Sequence, residues 1–410
     1  MEDCQIENSQ TRPEEAEGPF RFSRGSLEYF VFAMGIFFLA LYAFGELIKN
    51  TDSMPSKFRI SLVAFNVIGL ISSFVLLPRP AYKSPFTPFF QLIQALAFMY
   101  SLNIFFMAVL DSETLKVVLE ALDPRLAQPT IERSYSIDCQ IYTPDHPTSK
   151  FANVMGTMDI FVSAHFFGWL IKTLIFRNNL FAWMMSISFE IYELSLRHWL
   201  PNFYECWWDS LFLDLFGCNM LGILIGAWIM RKFNMSKYHW FFEPNEKTEN
   251  MNYVRRLYYS LTEAKPYLET NTWHWLNNPT NFLIVTWLVI LNSLTDLSNF
   301  LNKKMLNIPA NHFLLVIRIW IVGFFSILAV SELYEFSRNQ GEKRKITFNL
   351  GLSTFIIFSE MTIFVKNFRP EFFEIETPTP VIVFWTFVGA MWVWLFVQSI
   401  INSKKKLFKS

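Results

Sequence analysis

The sequence has no imbalance of charge: 35 Lys and Arg offset 35 Asp and Glu over 410 residues, a formal net charge of zero. A chain without a basic excess offers no bulk field to nucleic acid, and no nucleic-acid partner is expected. Cysteine is scarce. Cys4, Cys139, Cys206 and Cys218 show no CxxC spacing, which excludes a disulfide-built scaffold and denies structural zinc its ligand pattern. The first 25 residues are polar and acidic without an apolar core; residues 1–28 read as a disordered cytosolic tail with no cleaved signal peptide. No internal repeat is evident.

What the sequence has in abundance is apolar surface. Hydrophobic residues make up 52% and aromatic residues 18%, with 46 Phe, far more than a soluble core of this size uses. The expected fold class is an all-α polytopic integral membrane protein. Apolar runs of roughly 20 residues, the length of a spanning helix, occur at 29–48, 58–77, 88–110, 156–176, 180–200, 207–230, 280–300, 313–333, 346–365 and 381–401. They predict about ten transmembrane helices in a single domain over 29–401, followed by a basic tail at 402–410. Lys and Arg collect in cytosolic connections. "FRNN" at Phe176, "RKFNMSK" at Arg231, "GEKRK" at Gly341 and the tail are basic, whereas "RPEFFEIETPTP" at Arg369 is acidic. Both termini are therefore expected in the cytosol. Cys139 and Cys206 then share the opposite side, where a disulfide is permitted, the alternative being two free buried thiols.

Two connections are long. "DSETLKVVLEALDPRL" from Asp111 places Leu115, Val118, Leu119 and Leu122 at helical spacing and predicts a short amphipathic helix on the membrane surface, ending at Pro124. The connection from Arg231 to Pro279 mixes charge with aromatics and is expected to pack on the headgroup layer or contact a partner protein.

Ionisable residues concentrate in spans four to six, about 156–230. His165 lies in the fourth, Glu190 and Glu193 in the fifth, Asp209, Asp214 and Asn219 in the sixth, with Asn202 and Glu205 in the link between the last two. A carboxylate inside a membrane costs about 2.5–3.5 kcal/mol on insertion scales. Alternating helix direction brings these groups to the same, non-cytosolic half. Glu190 and Glu193 neighbour each other on one helix face and repel unless protonated or bridged. A divalent cation held by Glu190, Glu193, Asp214 and Asn219 resolves the conflict. Oxygen donors without a Cys or multi-His set favour calcium or magnesium over zinc, and Ca²⁺ suits an irregular site better. Plainer readings exist for each residue. Glu193 could pair with Arg197 one turn on, His165 could pack on Trp169, Trp207 and Trp208 could anchor at the interface, and Asp209 could be a solvated helix-start acid.

"HFFGWLIKTLIFRN" from His165, "SISFEIYEL" from Ser186 and "LPNFYECWWDSLFLDLFGCN" from Leu200 together resemble the eukaryotic base-exchange phosphatidylserine synthases. More loosely the resemblance takes in "MDIF" at Met158, "LTDLSNFLNK" at Leu294 and the stretch from Glu360 to Lys366. It implies a Ca²⁺-dependent, nucleotide-independent exchange of L-serine for choline or ethanolamine on phosphatidylcholine or phosphatidylethanolamine, in the endoplasmic reticulum membrane with the site toward the lumen. Dimers are common among such membrane enzymes, and a homodimer is one state open to this chain, whose sequence does not fix its oligomeric state. Family positions tied to activity match His165, Glu190, Glu193, Asn202, Glu205, Asp209, Asp214 and Asn219. From the chemistry of these residues His165 is the general base with Asp214 beside it, while Asn202, Glu205 and Asp209 are placed on the substrate.

Two rivals are set against this reading. A CDP-alcohol phosphatidyltransferase needs a D-G-x2-A-R-type motif, and no Asp-Gly pair occurs here. An ion-coupled transporter uses intramembrane carboxylates too, but is usually built from repeated halves with Gly- or Pro-broken helices.

Overall fold

The computed structural model describes residues 35, 38–39, 42–77, 87–127, 134–147, 149–242, 273–309, 312–338, 347–367 and 375–407; the tail expected at 1–28 lies outside them. The chain forms two compact units, Met1–Leu77 and Pro78–Ser410. In the first, α1 (Met54–Leu76) has a proline in its opening turn and ends where Leu77 turns extended, ψ 148°. Leu77 precedes Pro78, whose ring disfavours helical backbone before it.

The second unit is all helical. It contains α2 (Thr87–Val109), α3 (Ser112–Leu122), the short α4 (Ala152–Thr157), α5 (Ile160–Phe176) and α6 (Asn179–Leu196). A π-helical segment, Asp209–Asn219, runs into α7 (Met220–Lys232), and α8 (Pro279–Met305), α9 (Phe313–Arg338), α10 (Phe348–Lys366) and α11 (Thr379–Leu407) complete it. Helices coincide with nine of the ten predicted spans among the described residues; the first, 29–48, falls largely outside them. Among the described residues seven helices are long and apolar enough to cross a membrane, and α5 is shorter at 17 residues. The protein is an all-α polytopic membrane protein.

Two features fix the helices that carry the polar residues. Arg177 takes a left-handed turn, φ 47°, and the Asn178 side chain then caps α6 by accepting from Phe181 N at 3.0 Å. This reversal sets His165, twelve residues before Arg177 (177 − 165), level with Glu190, twelve after Asn178 (190 − 178). Both stand about 18 Å from the turn at 1.5 Å per residue. The second feature is a close crossing of α5 and α7. A Cβ at Gly222 would lie 2.4 Å from Phe166 O, and one at Gly226 would lie 2.8 Å from Thr173 Cβ. Small residues four apart let two backbones meet in an apolar medium, where no hydrophobic drive joins helices.

The predicted amphipathic helix exists as α3, with Asp111 capping Glu113 N and Thr114 N at 3.1 Å. Its apolar face is turned to protein. Leu115 and Leu119 are buried against Leu126, Ile308, Leu315 and Ile363, because the ends of α8, α9 and α10 offer the apolar face a protein partner. The aromatics of the connection from Arg231 pack inside the protein as well. Trp240, Phe241, Trp273 and Trp275 join the core of α5, α6 and α8, and Trp240 Nε1 donates to the C-terminal end of α5 at Phe176 O, 2.9 Å. Residues 243–272 of that connection lie outside the described ones.

A buried ion pair not foreseen from the sequence joins α9 to α10. Arg318 donates to both oxygens of Glu360, at 3.0 and 2.7 Å, while Tyr100 and Ser298 supply further donors. A disulfide joins Cys139 to Cys206, 67 residues apart, and ties the stretch 134–140 to the link after α6.

Replacing Gly222 with Ala forces overpacking of a kind that costs about 1–3 kcal/mol; the thermal midpoint in detergent should fall, whereas Gly323→Ala, with open space around it, should leave it unmoved. Cys139→Ser, Cys206→Ser and the double variant should all lose the same stability, about 2–4 kcal/mol. Unequal, additive losses in denaturation would mean that the two sulfurs act separately.

Candidate active site

The link between α6 and the π-helical segment is held from outside. Tyr135 N donates to Tyr204 O at 3.0 Å, and Trp208 Nε1 donates to Cys139 O at 3.2 Å, on either side of the disulfide. Glu205 is thereby fixed between a proline-started turn, Pro201–Phe203, and the helix that follows. Trp208 is buried and serves this latch rather than the membrane interface; Trp207 is exposed and keeps the geometry of an anchor.

The helix type matters next. On an α-helix, residues five apart differ by about 140° around the axis. Asp214 would then leave the face of Asp209 and Asn219. The i→i+5 bonding of a π-helix stacks residues five apart instead, and Asp209, Asp214 and Asn219 are all buried on the inner side. Gly217 allows this winding, since a Cβ there would meet Phe212 O, five residues back, at 2.9 Å. Asp209 is accordingly not a solvated helix-start acid.

Three helices meet at Asn219. Its Nδ2 donates to Glu190 Oε1 at 2.9 Å, so its Oδ1 faces His165 Nδ1 at 3.2 Å and accepts from it. That contact assigns the Nδ1–H tautomer to the neutral ring and leaves the Nε2 lone pair available. Asp214 Oδ1 stands 4.0 Å from the same Nδ1, and the Phe189 ring meets the imidazole edge-on at 6.1 Å. Trp169, the packing partner considered for His165, instead carries the Lys172 ammonium 4.1 Å above its ring.

A narrow cleft opens beside this chain of contacts. His165, Glu193, Asn202, Glu205, Asp209 and Asp214 all line it. Glu190 does not, and reaches the site through Asn219. Buried Glu190 Oε2, Glu193 Oε2 and Asn202 Oδ1 accept no hydrogen bond. Glu193 makes no ion pair with Arg197 among the described residues; Arg197 lies over the Tyr204 ring at 5.1 Å, and Glu193 turns into the cleft. Burial, with Asp214 next in effect, pushes the Glu205 carboxyl up to about 8. The cleft thus gathers more acid than it can ionise unaided.

Among the described residues no three His, Cys, Asp or Glu stand in a ready metal-binding arrangement. The donor set nevertheless fits a hard cation: it is all oxygen, and two buried carboxylate oxygens are unsatisfied. Asn219 bridges Glu190 and His165 here rather than standing open as a ligand.

Residues missed from the sequence also belong to the cleft. Asp159 lines it while capping α5 at Phe161 N, 2.8 Å, and accepts a bond from Tyr135 OH. An Asp just before an apolar run is a readable cap signal. Its place beside Asp209 depends on how α5 meets the π-helical segment, which no local pattern reveals. Tyr135 carries no signal at all.

The chain matches the family described as Phosphatidyl serine synthase over residues 85–368. It is 32% identical over 345 residues to the Oryza sativa protein named CDP-diacylglycerol--serine O-phosphatidyltransferase 2, covering 84% of this chain and 79% of that one. To the Arabidopsis thaliana protein named CDP-diacylglycerol--serine O-phosphatidyltransferase 1 it is 29% identical, covering 87% and 85%. To human Phosphatidylserine synthase 2 it is 31% identical over 312 residues, covering 75% and 61%. The matched span contains every residue of the cleft and of the contacts at Asn219. The chain belongs to the phosphatidyl serine synthase family of enzymes.

Proposed function

We propose that this enzyme makes phosphatidylserine by base exchange, replacing the choline or ethanolamine of an existing phospholipid with L-serine, dependent on Ca²⁺ and independent of nucleotide. The observation that carries the reading is the contact chain from Glu190 through Asn219 to His165, ending in a free imidazole lone pair beside unsatisfied carboxylate oxygens.

The serine hydroxyl attacks phosphorus while His165 Nε2 takes its proton. The bond from phosphorus to the choline or ethanolamine oxygen breaks, and the departing alcohol receives a proton from the imidazolium. Asn219 keeps the ring in the reactive tautomer, and Asp214, 4.0 Å from Nδ1, stabilises the imidazolium that forms. Glu190 orients the Asn219 amide. Asn202, Glu205 and Asp209 face the cleft where the headgroup enters. Glu190, Glu193 and Asp214 would hold the cation, with Asn219 able to join only by giving up a present partner. When bound, Ca²⁺ supplies positive charge against the phosphate oxygens, whose charge otherwise repels the nucleophile.

We place the enzyme in the endoplasmic reticulum membrane with its termini cytosolic and the cleft mouth toward the lumen. The disulfide beside the mouth supports that side, since such bonds persist in the lumen and are rare in the cytosol.

A second reading comes from the plant relatives, whose names specify CDP-diacylglycerol as donor. The absence of an Asp-Gly pair weighs against the usual site for that donor. Purified protein with labelled serine should give labelled lipid from phosphatidylcholine or phosphatidylethanolamine when Ca²⁺ is present. It should give none with a chelator. Label appearing only with CDP-diacylglycerol would replace exchange by the second reading. His165→Ala and Glu190→Gln should each lower turnover at least about a hundredfold, with expression and thermal midpoint unchanged, and full activity in either would remove its assigned role.

A further inference from the structure

Choline and ethanolamine differ in bulk, yet each carries a cationic nitrogen two carbons from the oxygen that bonds to phosphorus. A site that releases either base needs a seat for that charge a few ångströms from the departing oxygen, apart from the groups that move the proton and hold the cation.

The cleft has the features of such a seat near the start of α5, where Tyr135, Asp159 and Phe161 all line it. The Tyr135 and Phe161 rings stand 6.3 Å apart at 87° and form a corner. Asp159 closes that corner. One of its oxygens accepts from Phe161 N at 2.8 Å and the other from Tyr135 OH, so the carboxylate is fixed in place while lone pairs remain for a ligand. Phe161 is four residues before His165 on α5, on nearly the same face and about 6 Å along the axis. The chain O–C–C–N sets the nitrogen about 3–4 Å from its oxygen, and a ring attracts a cation within about 6 Å of its centre. An oxygen at His165 Nε2 therefore brings the nitrogen within range of the corner. Among the described residues the lining holds Asp159, Glu193, Glu205, Asp209 and Asp214 and no Lys or Arg. Lys303 approaches the Phe161 ring at 5.9 Å from outside the lining and does not offset those acids.

We propose that the corner of Tyr135, Phe161 and Asp159 binds the cationic nitrogen of the donor headgroup. The inference rests on an existing phospholipid being the donor, as in the reaction proposed above. The ring faces attract the charge whether or not the nitrogen is methylated, and Asp159 supplies the counter-charge at short range. The departing oxygen is thereby held where the imidazolium can protonate it.

The test compares each donor with its uncharged twin, using the full-length enzyme in detergent: phosphatidylcholine with phosphatidyl-3,3-dimethylbutanol, in which carbon replaces nitrogen, and phosphatidylethanolamine with phosphatidylpropanol. With labelled serine, the wild type should favour the charged member of the pair that contains its donor. Asp159→Asn keeps an oxygen to cap α5 and to accept from Tyr135 but loses the charge. It and Phe161→Leu should each reduce the preference about five- to thirtyfold, and Tyr135→Phe, which keeps the ring, by less. Both members of a pair are assayed on one preparation, so misfolding lowers both and leaves their ratio intact. Indifference of the wild type to the charge, or a preference unchanged in Asp159→Asn and Phe161→Leu, overturns the proposal. So does a shift in the half-saturating Ca²⁺ concentration of Asp159→Asn at unchanged preference, which makes Asp159 a cation ligand. If the wild-type enzyme transfers no serine to lipid from either phospholipid, the functional reading fails, and the failure is visible before the variants are compared.

Discussion

The constraint behind the site is the cost of holding several carboxylates inside an apolar helical bundle. Glu190, Glu193 and Asp214 have to be brought together without water, and the chain does this with one amide. Asn219 donates one hydrogen bond to Glu190 and accepts one from His165, so that three helices are registered by a single side chain. The geometry is possible only because the backbone is prepared on both sides. The tight Arg177–Asn178 reversal levels His165 with Glu190, and the glycines of α7 let it approach α5. A change at Gly222, which meets the backbone of Phe166 next to His165, would therefore be felt at the imidazole through position and not through charge.

The π-helical winding is the second element of the design. It is a local distortion that brings Asp209, Asp214 and Asn219 to one side, which regular winding would distribute around the axis. Wide turns of this kind recur at functional sites because they trade backbone regularity for a particular side-chain direction. Here Gly217 makes room for the Phe212 carbonyl, and the trade produces an acidic wall instead of a lone intramembrane acid.

Much of this was legible in the sequence, for physical reasons. The apolar runs are long enough to announce helices without tertiary knowledge, and intramembrane His165, Glu190, Glu193, Asp214 and Asn219 stand out because such residues are expensive there. What remained hidden depends on packing between distant segments. The apolar stripe of α3 has the pattern of a membrane-surface helix, yet the bundle ends present a better partner for Leu115 and Leu119. Trp208 looks like an interfacial anchor until the Cys139 carbonyl is seen at its indole nitrogen. Tyr135 lies outside the recognisable block, and only the fold carries it to the cleft.

The two polar systems of the bundle differ in one respect that separates structure from chemistry. Around Glu360 every carboxylate oxygen has donors: Tyr100 and Arg318 at one, Ser298 and Arg318 at the other. Such a network repays the desolvation of its charges internally and asks for nothing from outside. Around Glu190 and Glu193 the reverse holds, since one oxygen of each accepts nothing. Burying an unsatisfied acceptor costs free energy that a purely structural site would avoid, and the same chain shows at Arg318 that it can avoid it. The unsatisfied oxygens thus set this site apart from the Glu360 network, which is complete within the protein.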